Sequence, residues 1–148
     1  MIKLTQFVVF MGLGILMLSF RTKYDTVQKP WKAPASADAL VNPYLIEPLT
    51  LPQGQEIYTL YCASCHGRQG KADGIAVKNL KIKPVSVNDA QFTAQTNGAL
   101  FWKIREGRGE MPSFKKIFSE EQKWQLVEYM RDISNPFDQQ MNPLKSFE

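Results

Sequence analysis

Apolar and polar positions divide the chain into three stretches of different character. From Leu4 to Phe20, within "MIKLTQFVVFMGLGILMLSFRTK", no residue is charged. A helix over this run would extend roughly 25 Å at ~1.5 Å per residue, a little short of a hydrocarbon core of about 30 Å. No side of it is polar enough to form a wet face, which argues against a buried core helix. Two readings remain, a cleaved export signal and a retained membrane anchor. The stretch "ILMLSFRTKYD" offers Ser19 alone as a small residue for a cleavage site, which favours the anchor. Lys3 precedes the run and Arg21 and Lys23 follow it, so flanking charge does not set the orientation. Either reading places the rest of the chain outside the cytoplasm.

Residues 22–52 form the second stretch. They hold Pro30, Pro34, Pro43, Pro48 and Pro52, five of the nine prolines in the chain. Each fixes φ and removes a backbone donor, which argues against a long helix here. A simple tether is one reading. The other rests on Trp31, Tyr44, Leu45 and Ile46, which a solvated tether does not need and which could lie against the domain or a partner protein.

Helical periodicity begins after Pro52, and residues 53–135 read as one compact domain. "PQGQEIYTLYCASC" predicts a short helix with Ile57, Leu60 and Tyr61 on one side. "TNGALFWKIREG" predicts a second, capped by Thr96, with Leu100, Phe101 and Ile104 inward and Gly107 as its stop. "SEEQKWQLVEYMRDISNP" is the clearest. Ser119 and Gln122 form a capping box, Glu120 and Glu121 suit the first turn, and Leu126, Tyr129, Met130 and Ile133 recur at helical spacing before Asn135-Pro136. Between the first two helices "GRQGKADGIAVKNLKIKPVSVNDAQ" reads as loop, and residues 136–148 as a tail. No strand pattern of useful length occurs. The prediction is an all-α domain of three main helices and long loops.

Composition adds little to that picture. Across 148 residues, 44% hydrophobic and 22% charged content suits one ordinary globular domain with appendages. A net charge of +4 suits an acidic protein surface or a membrane and is too small to indicate nucleic acid.

Candidate chemistry is concentrated in "YCASCHGRQG", which holds both cysteines, Cys62 and Cys65, and the single histidine, His66. Four chemistries use Cys-x-x-Cys-His. Structural zinc needs a fourth ligand that no other Cys or His can supply. A redox dithiol expects a βαβ setting. A cysteine nucleophile needs its histidine base to face it, which neighbours on a helix do not. The fourth is covalent haem attachment, for which this motif is a signature. Each thiol adds to one of two vinyl groups fixed on a rigid ring, and the next imidazole is placed under the iron. Export strengthens this reading, because such attachment takes place outside the cytoplasm.

His66 would occupy one face of the iron, and no second histidine exists for the other, so methionine is the candidate. Met1, Met11 and Met17 belong to the N-terminal run, Met130 to the apolar stripe of the last helix, and Met141 to the tail. Met111, in "GRGEMPSFKK", lies in a loop tightened by Gly107, Gly109 and Pro112. Pro112 pushes Met111 towards an extended backbone that can project its side chain. An ordinary buried loop methionine is the competing reading.

The pieces "GQEIYTLYCASCHGRQGKADG", "GALFWKIREGRGEMPSF" and "SEEQKWQLVEYMRDI" together resemble class I c-type cytochromes, in particular the bacterial monohaem, membrane-anchored type. The resemblance covers about Gly54 to Ile133. It implies a cytochrome c fold, three main helices and long loops around one covalently bound haem c, here preceded by a transmembrane helix at residues 1–21. It further implies that Gly54 and Tyr58 of the first helix pack on Tyr129 of the last. It also implies that the Pro84 carbonyl holds the other nitrogen of His66, and that Trp102 and Arg105 lie near the haem edge and could meet a propionate.

The expected role is one-electron transfer in a respiratory chain, between a quinol-oxidising complex and a terminal oxidase, at a bacterial inner membrane with the haem domain in the periplasm. The chain would then not be an enzyme in its own right. An alternative is a fixed haem subunit of a larger redox complex, such as an alternative quinol-oxidising complex or a periplasmic dehydrogenase. Gas sensing or peroxidase activity is disfavoured by Met111, which fills the coordination shell. Lys103, Arg105, Arg108, Lys115 and Lys116 near Met111, with Arg68, Lys71, Lys78, Lys81 and Lys83 after the haem motif, suit redox partners with acidic docking surfaces.

Overall fold

The computed structural model describes residues 30–44 and 51–134. Among these, the helices are α1 (Ala35–Asp38), α2 (Leu51–Tyr61), α3 (Ala63–His66), α4 (Ala90–Thr93), α5 (Asn97–Glu106) and α6 (Glu120–Ser134), with a 3₁₀ turn at Val77–Asn79. One bridged pair, Arg108 and Met111, is the only β-type pairing among the described residues. No described helix is long and apolar enough to cross a membrane. The expected anchor, Leu45, Ile46 and the tail with Met141 lie outside the described residues.

The last helix is fixed at its start by two reciprocal bonds. Ser119 N donates to Gln122 Oε1 at 2.9 Å, and Gln122 N donates to Ser119 Oγ at 3.1 Å. Leu126, Tyr129 and Ile133 are buried, together with Trp124, Val127 and Lys123. Lys123 is only 1% exposed. Its ammonium reaches Glu120 Oε1 at 2.8 Å and lies 5.7 Å from the Phe101 ring, so its charge is matched while its stem fills core space. Phe101 of α5 stacks on Trp124 at 4.4 Å, which joins α5 to α6.

α2 crosses α6 at Gly54. A Cβ there would sit 2.4 Å from Gln125 O and 2.9 Å from Tyr129 Cβ, so nothing larger than hydrogen fits. One turn on, the Tyr58 ring meets that of Tyr129 at 5.3 Å. The fully buried positions of α2 are therefore Gly54 and Tyr58, the packing on Tyr129 that the resemblance implies. Of the apolar side, Ile57 is half-buried against the core while Leu60 and Tyr61 are exposed. Leu60 is 69% exposed and Tyr61 53% exposed. A close helix crossing selects a small residue, whereas a search for apolar bulk passes over it. Tyr61 turns its edge instead onto Phe118 and Phe114, with centroids 5.0 Å and 6.4 Å away.

The stretch before α2 is more than a tether. Ala37 is buried against α5, Asp38 Oδ1 accepts from Thr96 Oγ1 at 2.8 Å, and the Trp31 and Trp102 rings meet edge-on at 6.3 Å. Thr96 Oγ1 also accepts from Ala99 N at 3.0 Å, so one hydroxyl caps α5 and holds α1. The expected domain start at residue 53 falls inside α2, whose first turn contains Pro52, a position where the missing N–H costs nothing.

Candidate functional site

A cavity of about 1180 Å³ lies between α5, the loop around Pro84, the loop carrying Met111, and the Pro30–Asp38 segment. It exceeds the ~300–1,000 Å³ of most small-molecule sites. Val87, Phe92, Leu100 and Ile104 give it apolar walls, and both His66 and Met111 line it.

His66 closes α3, one turn beyond Cys62, and its backbone N–H donates to Cys62 O at 2.8 Å. The helix expected to run through Cys65 is interrupted at Cys62, which has φ −111° and ψ −36°. Behind it, the buried Tyr58 hydroxyl donates to Gly67 O at 2.9 Å, and Ala72 N donates to His66 O at 2.8 Å. Burial raises the Tyr58 pKa, helped by Cys62, Tyr129 and Asp73, so the hydroxyl stays a donor. The peptide that follows His66 is thereby pinned to the core. Burial also holds the His66 pKa below the ordinary imidazole value, leaving the ring neutral with a lone pair for a metal.

Cys62 and Cys65 are both half-buried on the same short turn. Burial, and secondarily Cys65, pushes the Cys62 thiol up to about 12. Neither cysteine is among the cavity-lining residues, whereas His66 is. No group of three or more His, Cys, Asp or Glu side chains that could hold a metal ion occurs among the described residues, so a zinc site has no fourth ligand to draw on.

Met111 sits on a reversal closed by Arg108 N to Met111 O at 2.9 Å and Met111 N to Arg108 O at 3.1 Å. Gly107, at φ +68°, lets the chain leave α5, and a Cβ there would meet the Pro112 backbone at 2.5 Å. Ser113 Oγ then donates to Arg105 O at 2.7 Å, folding the loop onto the end of α5. The neighbouring Glu110 reaches across the cavity rim. Its carboxylate accepts from Lys81 N at 3.2 Å and Ile82 N at 3.1 Å. Farther along, Val87 N donates to Gly70 O at 2.9 Å. The segment from Lys81 to Val87, which brings Pro84 to the cavity, is thus braced on one side by the Met111 loop and on the other by the loop after His66.

Trp102 and Arg105 do not line the cavity. Arg105 Nε pairs with Glu106 Oε1 at 2.7 Å, and Trp102 abuts Trp31. α5 presents Leu100, Lys103 and Ile104 to the cavity, which leaves Trp102 and Arg105 on other sides of the helix. Sequence reasoning missed Lys103, Arg108 and Trp31 as site residues, and it placed Met130 in the core although that side chain also lines the cavity. Lys103 could have been found from its spacing, since it falls three residues after Leu100 on the same face. Trp31 had no such signal, because nothing local ties it to α5.

The volume, the apolar walls, a neutral imidazole and a thioether on one cavity, and a paired-cysteine turn beside it fit a flat, largely apolar macrocycle that carries iron. An all-α domain with this site is a c-type cytochrome domain. Residues 50–130 match the family described as cytochrome c oxidase, cbb3-type, subunit III, and the chain belongs to that family. It is 29% identical over 93 residues to cytochrome c550 of Pseudomonas aeruginosa, covering 62% of this chain and 61% of that protein. The chain therefore spans about three fifths of that relative's length. Its structure is similar to a chain of the Kuenenia stuttgartiensis reducing HAO-like protein complex Kustc0457/Kustc0458, with TM-score 0.58, 25% identity, and coverage of 66% of this chain and 49% of that one. Membership of the family implies haem c, with which the Cys62–Cys65 pair is compatible, and makes the domain an electron carrier rather than an enzyme.

Proposed function

We propose that this chain carries single electrons to or within a respiratory oxidase, through one haem c attached at Cys62 and Cys65 and ligated by His66 and Met111. The observation that carries this reading is that His66 and Met111, 45 positions apart by subtraction of their numbers, line one cavity beside the paired-cysteine turn. When bound, haem c supplies an iron that exchanges one electron between its ferric and ferrous states. The protein's part is to hold that iron and keep water away. A half-buried His66, its pKa lowered by desolvation, offers its lone pair without first losing a proton. Met111 offers a soft sulfur that favours ferrous iron and raises the potential. Phe92, Leu100 and Ile104 supply an apolar wall that limits solvent reorganisation. Pro84, on the braced segment that lines the same cavity, would orient the His66 ring through its carbonyl.

The domain would face the periplasm from a bacterial inner membrane, held by residues 4–20. A free carrier serving a quinol-oxidising complex and an oxidase is one form of this reading. The family's description as an oxidase subunit supports the other, a haem subunit fixed within an oxidase. Packing of Trp31 on its own domain weakens the case that the apolar residues of the linker require a partner.

The test is intact-mass measurement on the full chain with spectra of the wild type, Cys65→Ala and Met111→Ala. The expected wild type carries one covalent haem and a weak red sulfur-to-iron band in the ferric state. Met111→Ala should keep the haem, lose that band and bind CO when reduced, and Cys65→Ala should lose one of the two links. A mature protein with no added haem mass would overturn the proposal.

A further inference from the structure

We infer that the Pro30–Asp38 segment is a wall of the haem cavity, and that Trp31 closes the cavity mouth while holding Lys103 and Arg108 towards the two carboxylates of the haem. The inference rests on the haem reading above and adds to it a segment that precedes the matched residues 50–130.

Three independent ties fix the segment on the domain. Ala37 is only 2% exposed, and its carbonyl lies so close to Gly98 that a Cβ on that glycine would be 2.1 Å away. Asp38 accepts from the α5 cap residue Thr96 at 2.8 Å. The Trp31 ring abuts Trp102 at 6.3 Å and an interplanar angle of 62°. Thus Trp31 reaches the cavity from a backbone anchored at several points, and it lines that cavity directly.

Two cations share this indole. Lys103 Nζ is 5.3 Å from the ring centroid and Arg108 Cζ is 5.5 Å from it. Attraction to the ring offsets some of their mutual repulsion. The repulsion remains real, since burial and Arg108 together lower the Lys103 pKa. An arrangement that gathers like charges at the edge of an apolar cavity suits an anionic ligand. The charged residues of the lining point the same way: Lys32, Lys83, Lys103 and Arg108 stand against Asp38 and Glu110. Both carboxylates are already engaged, Asp38 by Thr96 and Glu110 by the Lys81 and Ile82 N–H groups. Four cations less two anions leaves an excess of two positive charges, and a haem presents two carboxylates. Covering that edge with an indole lowers the local dielectric and strengthens those pairings.

Removing the cover should lower the midpoint potential, because readmitted water favours the more highly charged ferric state. The experiment is an equilibrium redox titration of the full-length haem protein in detergent, comparing wild type, Trp31→Ala, Trp31→Phe and Val41→Ala. Val41 lies three residues beyond that segment and is 81% exposed. The expected result is a clear downward shift for Trp31→Ala, a smaller one for Trp31→Phe and none for Val41→Ala, with the red sulfur-to-iron band kept throughout. Lys103→Met and Arg108→Met, which leave Trp31 in place, should each lower the potential as well, and they decide the matter if Trp31→Ala does not accumulate. Unchanged potentials in the Trp31 and both cation variants, with haem covalently attached, would overturn this inference alone. Absence of haem from the wild type would overturn it together with the reading beneath it.

Discussion

Glu110 stands beside Met111, yet its carboxylate serves a different loop. By accepting from Lys81 N and Ile82 N it links the candidate iron ligand to the segment that carries Pro84. Hydrogen bonds to a carboxylate contribute about 1.5–3 kcal/mol when sheltered, and this exposed pair stands at or below the lower end. Glu110→Ala should therefore cost about 1 kcal/mol in denaturant unfolding of the haem protein. It should also weaken the red sulfur-to-iron band, because Met111 then loses its tie to the Lys81–Ile82 loop. Glu110→Gln keeps one acceptor and should fall between the two. A band of unaltered strength in Glu110→Ala would show that the reversal suffices. At this scale residue chemistry singled out two thiols and an imidazole in fixed spacing and a methionine before proline, and of these His66 and Met111 line one cavity. Trp102 and Arg105 were carried over by position from the family resemblance, and neither lines the cavity. The side of α5 that faces the cavity is marked by the spacing of Leu100, Lys103 and Ile104, and neither Trp102 nor Arg105 falls on it.

Helix ends and helix crossings make separate demands on sequence, and the chain meets them with different residues. Gly54 allows α2 and α6 to touch. Gly54→Ala forces a methyl group against Gln125 O and the Tyr129 Cβ, both within 2.9 Å of where it would stand. Overpacking of this kind costs about 1–3 kcal/mol, and thermal unfolding of a domain this size should shift down by roughly 4–8 °C per kcal/mol. An unchanged Tm would mean that the helices can separate without loss. Thr96 combines two tasks, so Thr96→Ala should cost about 1 kcal/mol for the cap and more for the bond to Asp38. Comparison with Asp38→Ala and the double variant isolates the second part; no coupling would mean that α1 is held by Ala37 and Trp31 alone. The capping box of α6 and the Gly107 stop of α5 were readable because they are local. α1 and α4 escaped notice, each being a single turn of four residues. On α2 the apolar stripe is met at Ile57 and fails at Leu60 and Tyr61, because the crossing itself is marked by the missing side chain of Gly54.

Charge acts over the whole molecule. Two of the cations near Met111 are already matched or occupied: Arg105 by Glu106, and Lys103 within the cavity wall. Lys115 and Lys116 remain exposed beside Ile117, which is 55% exposed, and this stretch is flanked by Phe114 and Phe118, against which the half-exposed Tyr61 packs. Tyr61 directly precedes Cys62, so these lysines and the paired-cysteine turn belong to one side of the molecule. A carrier that must find an acidic partner by diffusion gains speed from such charges, and the gain disappears as salt shortens the Debye length from about 30 Å at 0.01 M to about 8 Å at 0.15 M. Electron transfer from the full-length haem protein to an acidic acceptor should slow over that range. Lys115→Glu with Lys116→Glu should slow it further at low salt and flatten its salt dependence, while leaving the midpoint potential nearly unchanged. A subunit fixed in a complex would behave otherwise, since its partner is present without a search. Its transfer rate would ignore both salt and the two substitutions, and stopped-flow measurement across the salt range therefore separates a travelling carrier from a resident subunit.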